Sequence, residues 1–168
     1  VRKVLQHPDV SLSGGTERSG SEHVDDDLGI LVGLPAIELH VTDNTEAVIQ
    51  HSDVIIDFTT PAATLAHAEL AATHQVAHVI GTTGLTDKEE AQLAEYARKT
   101  VIFHSHNMSV GVNILLGLVE QVARTLPGEQ WDIEVLEMHH RHKVDAPSGT
   151  AISLGHAAQA GRDNAPFK

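Results

Sequence analysis

The chain contains no cysteine, which removes disulfides and thiolate metal sites and fits a cytoplasmic protein. Apolar runs such as Val54-Ile55-Ile56 and Ile114-Leu115-Leu116 are far too short to span a bilayer, so no membrane association is expected. No apolar segment follows Arg2 and Lys3, so no secretory signal is expected either. Cations are scarce: 11 Lys and Arg stand against 23 Asp and Glu, a formal net charge of -12. Such a balance repels a phosphate backbone and argues against general nucleic-acid binding. Internal repeats and low-complexity tracts are missing. So are the phosphate-binding pattern G-x-G-x-x-G and the zinc pattern H-E-x-x-H.

What is present reads as an ordinary globular chain. Its 168 residues, 41% hydrophobic and 20% charged, suffice for one domain or slightly more, with a real core. Strand-like and helix-like patterns alternate through the first two-thirds. Val10-Ser-Leu-Ser13 alternates as a short strand and meets Gly14-Gly15, a turn signal. Residues 19–35, rich in Gly, Ser and Asp, read as a loop. Asp53-Val-Ile-Ile-Asp-Phe58 has the composition of a parallel strand buried on both faces. Thr59-Thr60-Pro61 opens a helix to about His74, Val76–Ile80 is the next strand, and Thr86-Asp-Lys-Glu89 is a capping box for a helix to about Lys99. Val101–Phe103 is a further strand. The succession predicts an α/β fold, a Rossmann-like open parallel sheet with right-handed crossovers. Beyond Asn107 the texture changes. Val112–Leu126 reads as a long amphipathic helix and Trp131–His139 as a strand, so we expect a dinucleotide-binding region over 1–107 and a second, α+β region over 108–168.

An open parallel sheet binds ligands at the carboxyl ends of its strands, which singles out Thr16-Glu17-Arg18, Asp57-Phe-Thr-Thr60 and Gly81-Thr-Thr-Gly84. If Val1–His7 is the tail of a helix opened by a phosphate loop, Glu17 falls near the acidic ribose-binding position about 20 residues on. Arg18 beside it could meet a 2′-phosphate. The alternative is a solvated loop pair.

Against the acidic background, residues 139–143 gather three of the 13 histidines with Arg141 and Lys143. Five such groups together repel one another unless an anion is expected. Zinc is a poor fit, because Arg141 and Lys143 sit among the candidate ligands His139, His140, His142 and Glu137 and would repel a divalent ion. By contrast, Pro147-Ser148-Gly149-Thr150 leads into a helical pattern and offers free backbone N–H groups, hydroxyls and a positive helix end to a carboxylate or phosphate. The cations nearby keep an imidazole neutral enough to exchange protons. These residues point to proton chemistry on a small anionic substrate. The scattered histidines His7, His51, His67, His74 and His78 are read as surface or helix-face residues without a role.

Glu134-Val-Leu-Glu-Met-His-His-Arg-His-Lys-Val-Asp-Ala-Pro-Ser-Gly-Thr-Ala151 resembles the signature of the dihydrodipicolinate (4-hydroxy-tetrahydrodipicolinate) reductase family. Asp57-Phe-Thr-Thr-Pro61, Gly81-Thr-Thr-Gly84 and Asn107-Met-Ser-Val-Gly-Val-Asn113 agree in order, with Met108 departing from the usual Phe. The resemblance implies reduction of a cyclic imine dicarboxylate by NADPH or NADH, a step of lysine and diaminopimelate biosynthesis, by a cytoplasmic homotetramer. It implies His139 as proton donor and acceptor, Lys143 as proton donor, and His140, Ser148, Gly149 and Thr150 around the substrate carboxylates. Gly81, Thr82 and Thr83, with Ser105, His106, Asn107 and Met108, would line the nicotinamide side. Glu17 and Arg18 would accept both cofactors, and no metal is implied. Measured against the family, the N-terminal glycine-rich loop and the C-terminal part are expected to lie outside this sequence. Two other classes stay open on the residues alone: a non-catalytic nucleotide- or dicarboxylate-binding protein, and a metal hydrolase.

Overall fold

A computed structural model describes residues 1–141 and 146–163. After a short helix α1 (Arg2–Leu5), strand β1 (Gly15–Thr16) pairs in parallel with β2 (Val41–Thr42), Gly15 opposite Val41. Pairing thus starts beyond Val10–Ser13, and Gly14-Gly15 is not a turn. A Cβ on Gly15 would lie 2.6 Å from Leu28 Cδ2, so glycine here lets the strand pass close beneath helix α2 (Leu28–Leu31). That helix interrupts the segment expected to be a loop. Asp27 caps it, accepting the N–H groups of Gly29 (2.8 Å) and Ile30 (3.1 Å), and also those of Ile37 (3.0 Å) and Glu38 (2.7 Å). Asn44 caps α3 (Thr45–Gln50) in the same way, with Ala47 N–H as donor.

The second sheet is β3 (Val54–Asp57), β4 (Ala77–Ile80) and β5 (Ile102–His104), paired in parallel in that order. Helix α4 (Pro61–His74) starts where Thr60 caps it and Pro61 presets the first turn. It ends at Gln75, which takes the left-handed conformation at φ 57°. Its buried face is Thr64, Ala68, Ala71 and Ala72, small side chains that let it approach the sheet. Helix α5 (Asp87–Tyr96) carries the expected capping box: Glu89 accepts the Thr86 N–H at 2.7 Å, and Thr86 Oγ1 accepts the Glu89 N–H. Ala68, Ile80 and Leu93 form the core between these helices and the sheet, with Leu65, Leu85, Tyr96 and Ile102 packed around them.

Both helices cover one face of the sheet. On the other, Val54 is 51% exposed and Ile56 61% exposed, so β3 is not enclosed on both faces among the described residues. Helix α6 (Val110–Thr125) packs against α7 (Gly149–Gly161). Arg162 ties the pair to the intervening segment, donating to the Ala123 carbonyl (3.3 Å) and the Trp131 carbonyl (2.8 Å). The strand expected over Trp131–His139 does not form among the described residues: the segment is irregular and finds no strand to pair with, and Leu136 and Met138 stand exposed.

Candidate functional site

Sheet register decides where a ligand could sit. Asp57, Ile80 and His104 are cross-strand partners, so the segments that follow β3, β4 and β5 leave along one carboxyl edge, where open parallel sheets bind ligands. Of the residues singled out in the sequence, Gly81, Thr82, Thr83, Ser105, His106, Asn107 and Met108 meet on this edge. Gly81 lies against the Phe58 ring: an added Cβ would be 2.0 Å from Phe58 Cε1. Thr83, His106 and Met108 are exposed. The His106 ring stands edge-on to His104 at 5.0 Å. Ser105 Oγ donates to the Asn107 carbonyl at 3.0 Å, which shapes the turn out of β5. This edge presents backbone groups, small hydroxyl side chains and an exposed aromatic ring to solvent, a surface that fits a flat nucleotide ring.

Thr82 differs from its neighbours. Its side chain is buried, donates to Asp57 Oδ1 (3.3 Å) and accepts from Thr59 N–H (3.0 Å) and Thr64 Oγ1 (2.8 Å). Among the described residues only its backbone N–H is left to meet a ligand. Asp57 itself is 3% exposed. Besides Thr82 it accepts Thr59 Oγ1–H at 2.7 Å, His67 Nδ1–H at 2.9 Å and His78 Nε2–H at 3.1 Å. Burial alone raises this carboxyl, but the hydrogen bonds from His67, His78 and Thr59 and the nearby His67 charge outweigh it and hold Asp57 well below the usual carboxylate range. The reading of His67 and His78 as surface residues without a role is corrected here: His78 is fully buried, and both imidazoles point at one carboxylate. His74 also has a partner, Glu46 at 3.1 Å, while His7 and His51 are exposed.

The second group assembles at the start of α7. Ser148 is its N-cap, accepting the Ala151 N–H at 3.0 Å. Among the described residues, the N–H groups of Gly149 and Thr150 have no acceptor and point out of the helix end. Glu137 links this helix end to the histidines: its Oε1 accepts the Ser148 N–H at 2.7 Å, and its Oε2 lies 3.0 Å from His139 Nδ1. The sequence had offered Glu137 only as a possible metal ligand. Asn107 Nδ2 donates to Thr150 Oγ1 at 3.2 Å, so the turn after β5 touches the α7 start. His140 and Arg141 follow on the exposed segment. Lys143 and His142 lie outside the described residues. Among those described, no three His, Asp or Glu side chains are grouped to hold a metal ion.

Glu17 and Arg18 sit at the end of β1 on the two-stranded sheet, both exposed. Glu17 Oε2 accepts the Arg18 N–H at 3.1 Å. No hydrogen bond among the described residues ties the pair to the other candidate groups.

The chain matches the family model for the N-terminus of dihydrodipicolinate reductase over residues 1–108 and that for its C-terminus over 111–167. It is 50% identical over 162 residues to a 4-hydroxy-tetrahydrodipicolinate reductase of Chelativorans sp. (strain BNC1), covering 96% of this chain and 58% of that protein. A similarly named protein of Dinoroseobacter shibae is 52% identical over 151 residues, 90% of this chain and 56% of the relative. The chain thus spans under two-thirds of the length of these relatives. Among solved structures, a dipicolinate-bound dihydrodipicolinate reductase from Paenisporosarcina sp. TG-14 superposes with a TM-score of 0.70 at 29% identity, covering 99% of this chain and 62% of that one. The parallel α/β fold is therefore shared, and the chain belongs to the dihydrodipicolinate reductase family.

Proposed function

We propose that the protein carrying this chain reduces 4-hydroxy-tetrahydrodipicolinate, via dihydrodipicolinate, to tetrahydrodipicolinate with NADPH or NADH, as a step of lysine and diaminopimelate biosynthesis. The observation that carries the proposal is the Glu137 bridge. One carboxylate lies 3.0 Å from His139 Nδ1 and accepts the Ser148 N–H of the α7 start, which supports reading the imidazole and the helix end as parts of one site.

This geometry, with the family motif, supports the following roles. The free N–H groups of Gly149 and Thr150, with the positive end of α7, hold a substrate carboxylate, and His140 and Ser148 stand beside them. Glu137 sets a negative charge 3.0 Å from Nδ1 of His139, and Nε2 is left to exchange a proton with the substrate. Lys143 is the second proton donor, carried over from the family motif. Gly81, Thr82 through its backbone, Thr83 and Ser105–Met108 line the nicotinamide side, and Glu17 and Arg18 meet the adenosine ribose. A bound nicotinamide supplies the hydride, and the side chains supply the proton that balances it. Residues 1–107 would then form the nucleotide-binding region and 108–168 the substrate-binding one. The Asn107–Thr150 hydrogen bond supports a shared site at their junction. Assembly as a cytoplasmic homotetramer belongs to the same proposal. It is supported by apolar side chains exposed along α6, Ile114, Leu115, Leu118 and Val122, and a tetrameric mass in light scattering would test it.

The activity is tested by following NADPH oxidation with the substrate generated in situ. We expect turnover that falls at least ~10²-fold in both His139→Gln and Lys143→Ala, the usual scale for positioned acid–base groups. Full activity in both variants would refute the assignment.

A further inference from the structure

We infer that Asp57 is a positioning residue: acting through Thr59 and Thr82, its carboxylate fixes the crests of β3 and β4 against each other where the nicotinamide nucleotide is proposed to lie. The inference rests on the functional reading above and extends it to residues with no direct contact to the ligand.

Three features support it. Asp57 ends β3, is 3% exposed, and has no lysine or arginine within ion-pair distance among the described residues. A buried carboxylate with only imidazoles as counter-groups is costly to maintain, so its hydrogen bonds must offset the desolvation. Four donors converge on it, two hydroxyls on Oδ1 and two imidazole N–H groups on Oδ2. Only an acceptor-only group satisfies all four; an amide would set its NH₂ against one of these pairs.

The network also runs outward, from strand end to strand end. Thr82 Oγ1 accepts the Thr59 N–H just past β3 and Thr64 Oγ1 on α4. The Thr82 carbonyl accepts Nε2–H of His104, the last residue of β5, at 3.2 Å. The Gly81 N–H donates to the Asp57 carbonyl at 2.8 Å. Three strand ends are therefore joined through Thr82, and Thr82 is joined to Asp57. Because the Thr82 side chain is enclosed and the Gly81 N–H and Thr82 carbonyl are engaged, the network controls where the remaining backbone groups of Gly81–Thr83 lie.

The test titrates the intact gene product with NADPH by fluorescence and with pyridine-2,6-dicarboxylate by calorimetry, in wild type, Asp57→Asn, Thr82→Val and Thr82→Ser. Removing hydrogen bonds on this scale predicts NADPH binding weakened on the order of tenfold in Asp57→Asn and Thr82→Val. Thr82→Ser keeps the hydroxyl and should stay within about twofold of wild type. Dicarboxylate affinity should hold in all four proteins. In turnover assays the loss should fall on the KM for NADPH rather than on kcat. Should Asp57→Asn fail to fold, the Thr82 pair decides alone. Unchanged NADPH affinity in Thr82→Val, or equal loss of both ligands, overturns the inference while the functional reading stands. A wild-type protein that binds the dicarboxylate but no NADPH overturns that reading, and the inference with it.

Discussion

Two carboxylates in this chain each engage a histidine: Asp57 at the end of β3, and Glu137 in the irregular segment before α7. Asp57 is enclosed, with two hydroxyls and two imidazoles directed at it, one of them fully buried. Glu137 is half-buried and its partner His139 is 40% exposed at the side chain. In the first arrangement the carboxylate is closed off from solvent and the hydrogen bonds around it fasten side chains and backbone of β3, β4 and α4. The second leaves an imidazole partly exposed, near a helix end whose Gly149 and Thr150 N–H groups have no acceptor among the described residues. The same pair of residue types is enclosed in one environment and partly open to solvent in the other, where the proposed function needs it.

Substitutions should separate the two. Asp57→Ala strands two imidazole N–H groups and two hydroxyls, so urea unfolding should register a loss of about 3 kcal/mol. Glu137→Gln, which keeps an oxygen to accept the Ser148 N–H, should cost under about 1 kcal/mol of stability. In turnover the second variant should nonetheless lose about tenfold, because the negative charge beside His139 is gone. Equal stability losses in the two would erase the contrast. A subtler difference lies in pH. The folded-state pKa of Asp57 is depressed, so its contribution to stability is fully present above the ordinary aspartate value of about 3.9 and is lost as pH falls towards the folded value. The stability gap between wild type and Asp57→Asn should therefore stay flat from about pH 7 to pH 5 and narrow only below about pH 4; a gap that closes near neutrality would assign the effect to the histidines instead. The smallest effect is expected of Gly81→Ala. The Phe58 ring that a new Cβ would meet is 65% exposed and can swing outward, so stability should change by about 1 kcal/mol or less.

The contrast also explains what could be read from the sequence. Local rules sufficed for α4, with Thr60 and Pro61 at its start, and for α5, whose capping box is complete. The helix entry at Ser148-Gly149-Thr150 was legible for the same reason, since the Ser148 Oγ and the Ala151 N–H that it accepts lie within three residues. The Asp57 network was not. Its partners stand 10 and 21 residues away on α4 and β4, and nothing local marks His67 or His78 as different from His7 or His51. Glu137 was hidden similarly, because its contact with the Ser148 N–H spans 11 residues. The Trp131–His139 segment misled for another reason. Its composition favours a strand, but a strand exists only through a pairing partner, and none is found among the described residues. At Gly14-Gly15 a turn signal concealed a steric need, the close passage of β1 beneath Leu28 and Val48.

The most direct measurement compares the wild-type gene product with His139→Gln at saturating NADPH, recording both turnover of 4-hydroxy-tetrahydrodipicolinate and affinity for NADPH. We expect turnover to fall at least ~10²-fold while NADPH affinity stays the same. Equal turnover in the two proteins, or no NADPH-dependent turnover in either, would contradict the assignment.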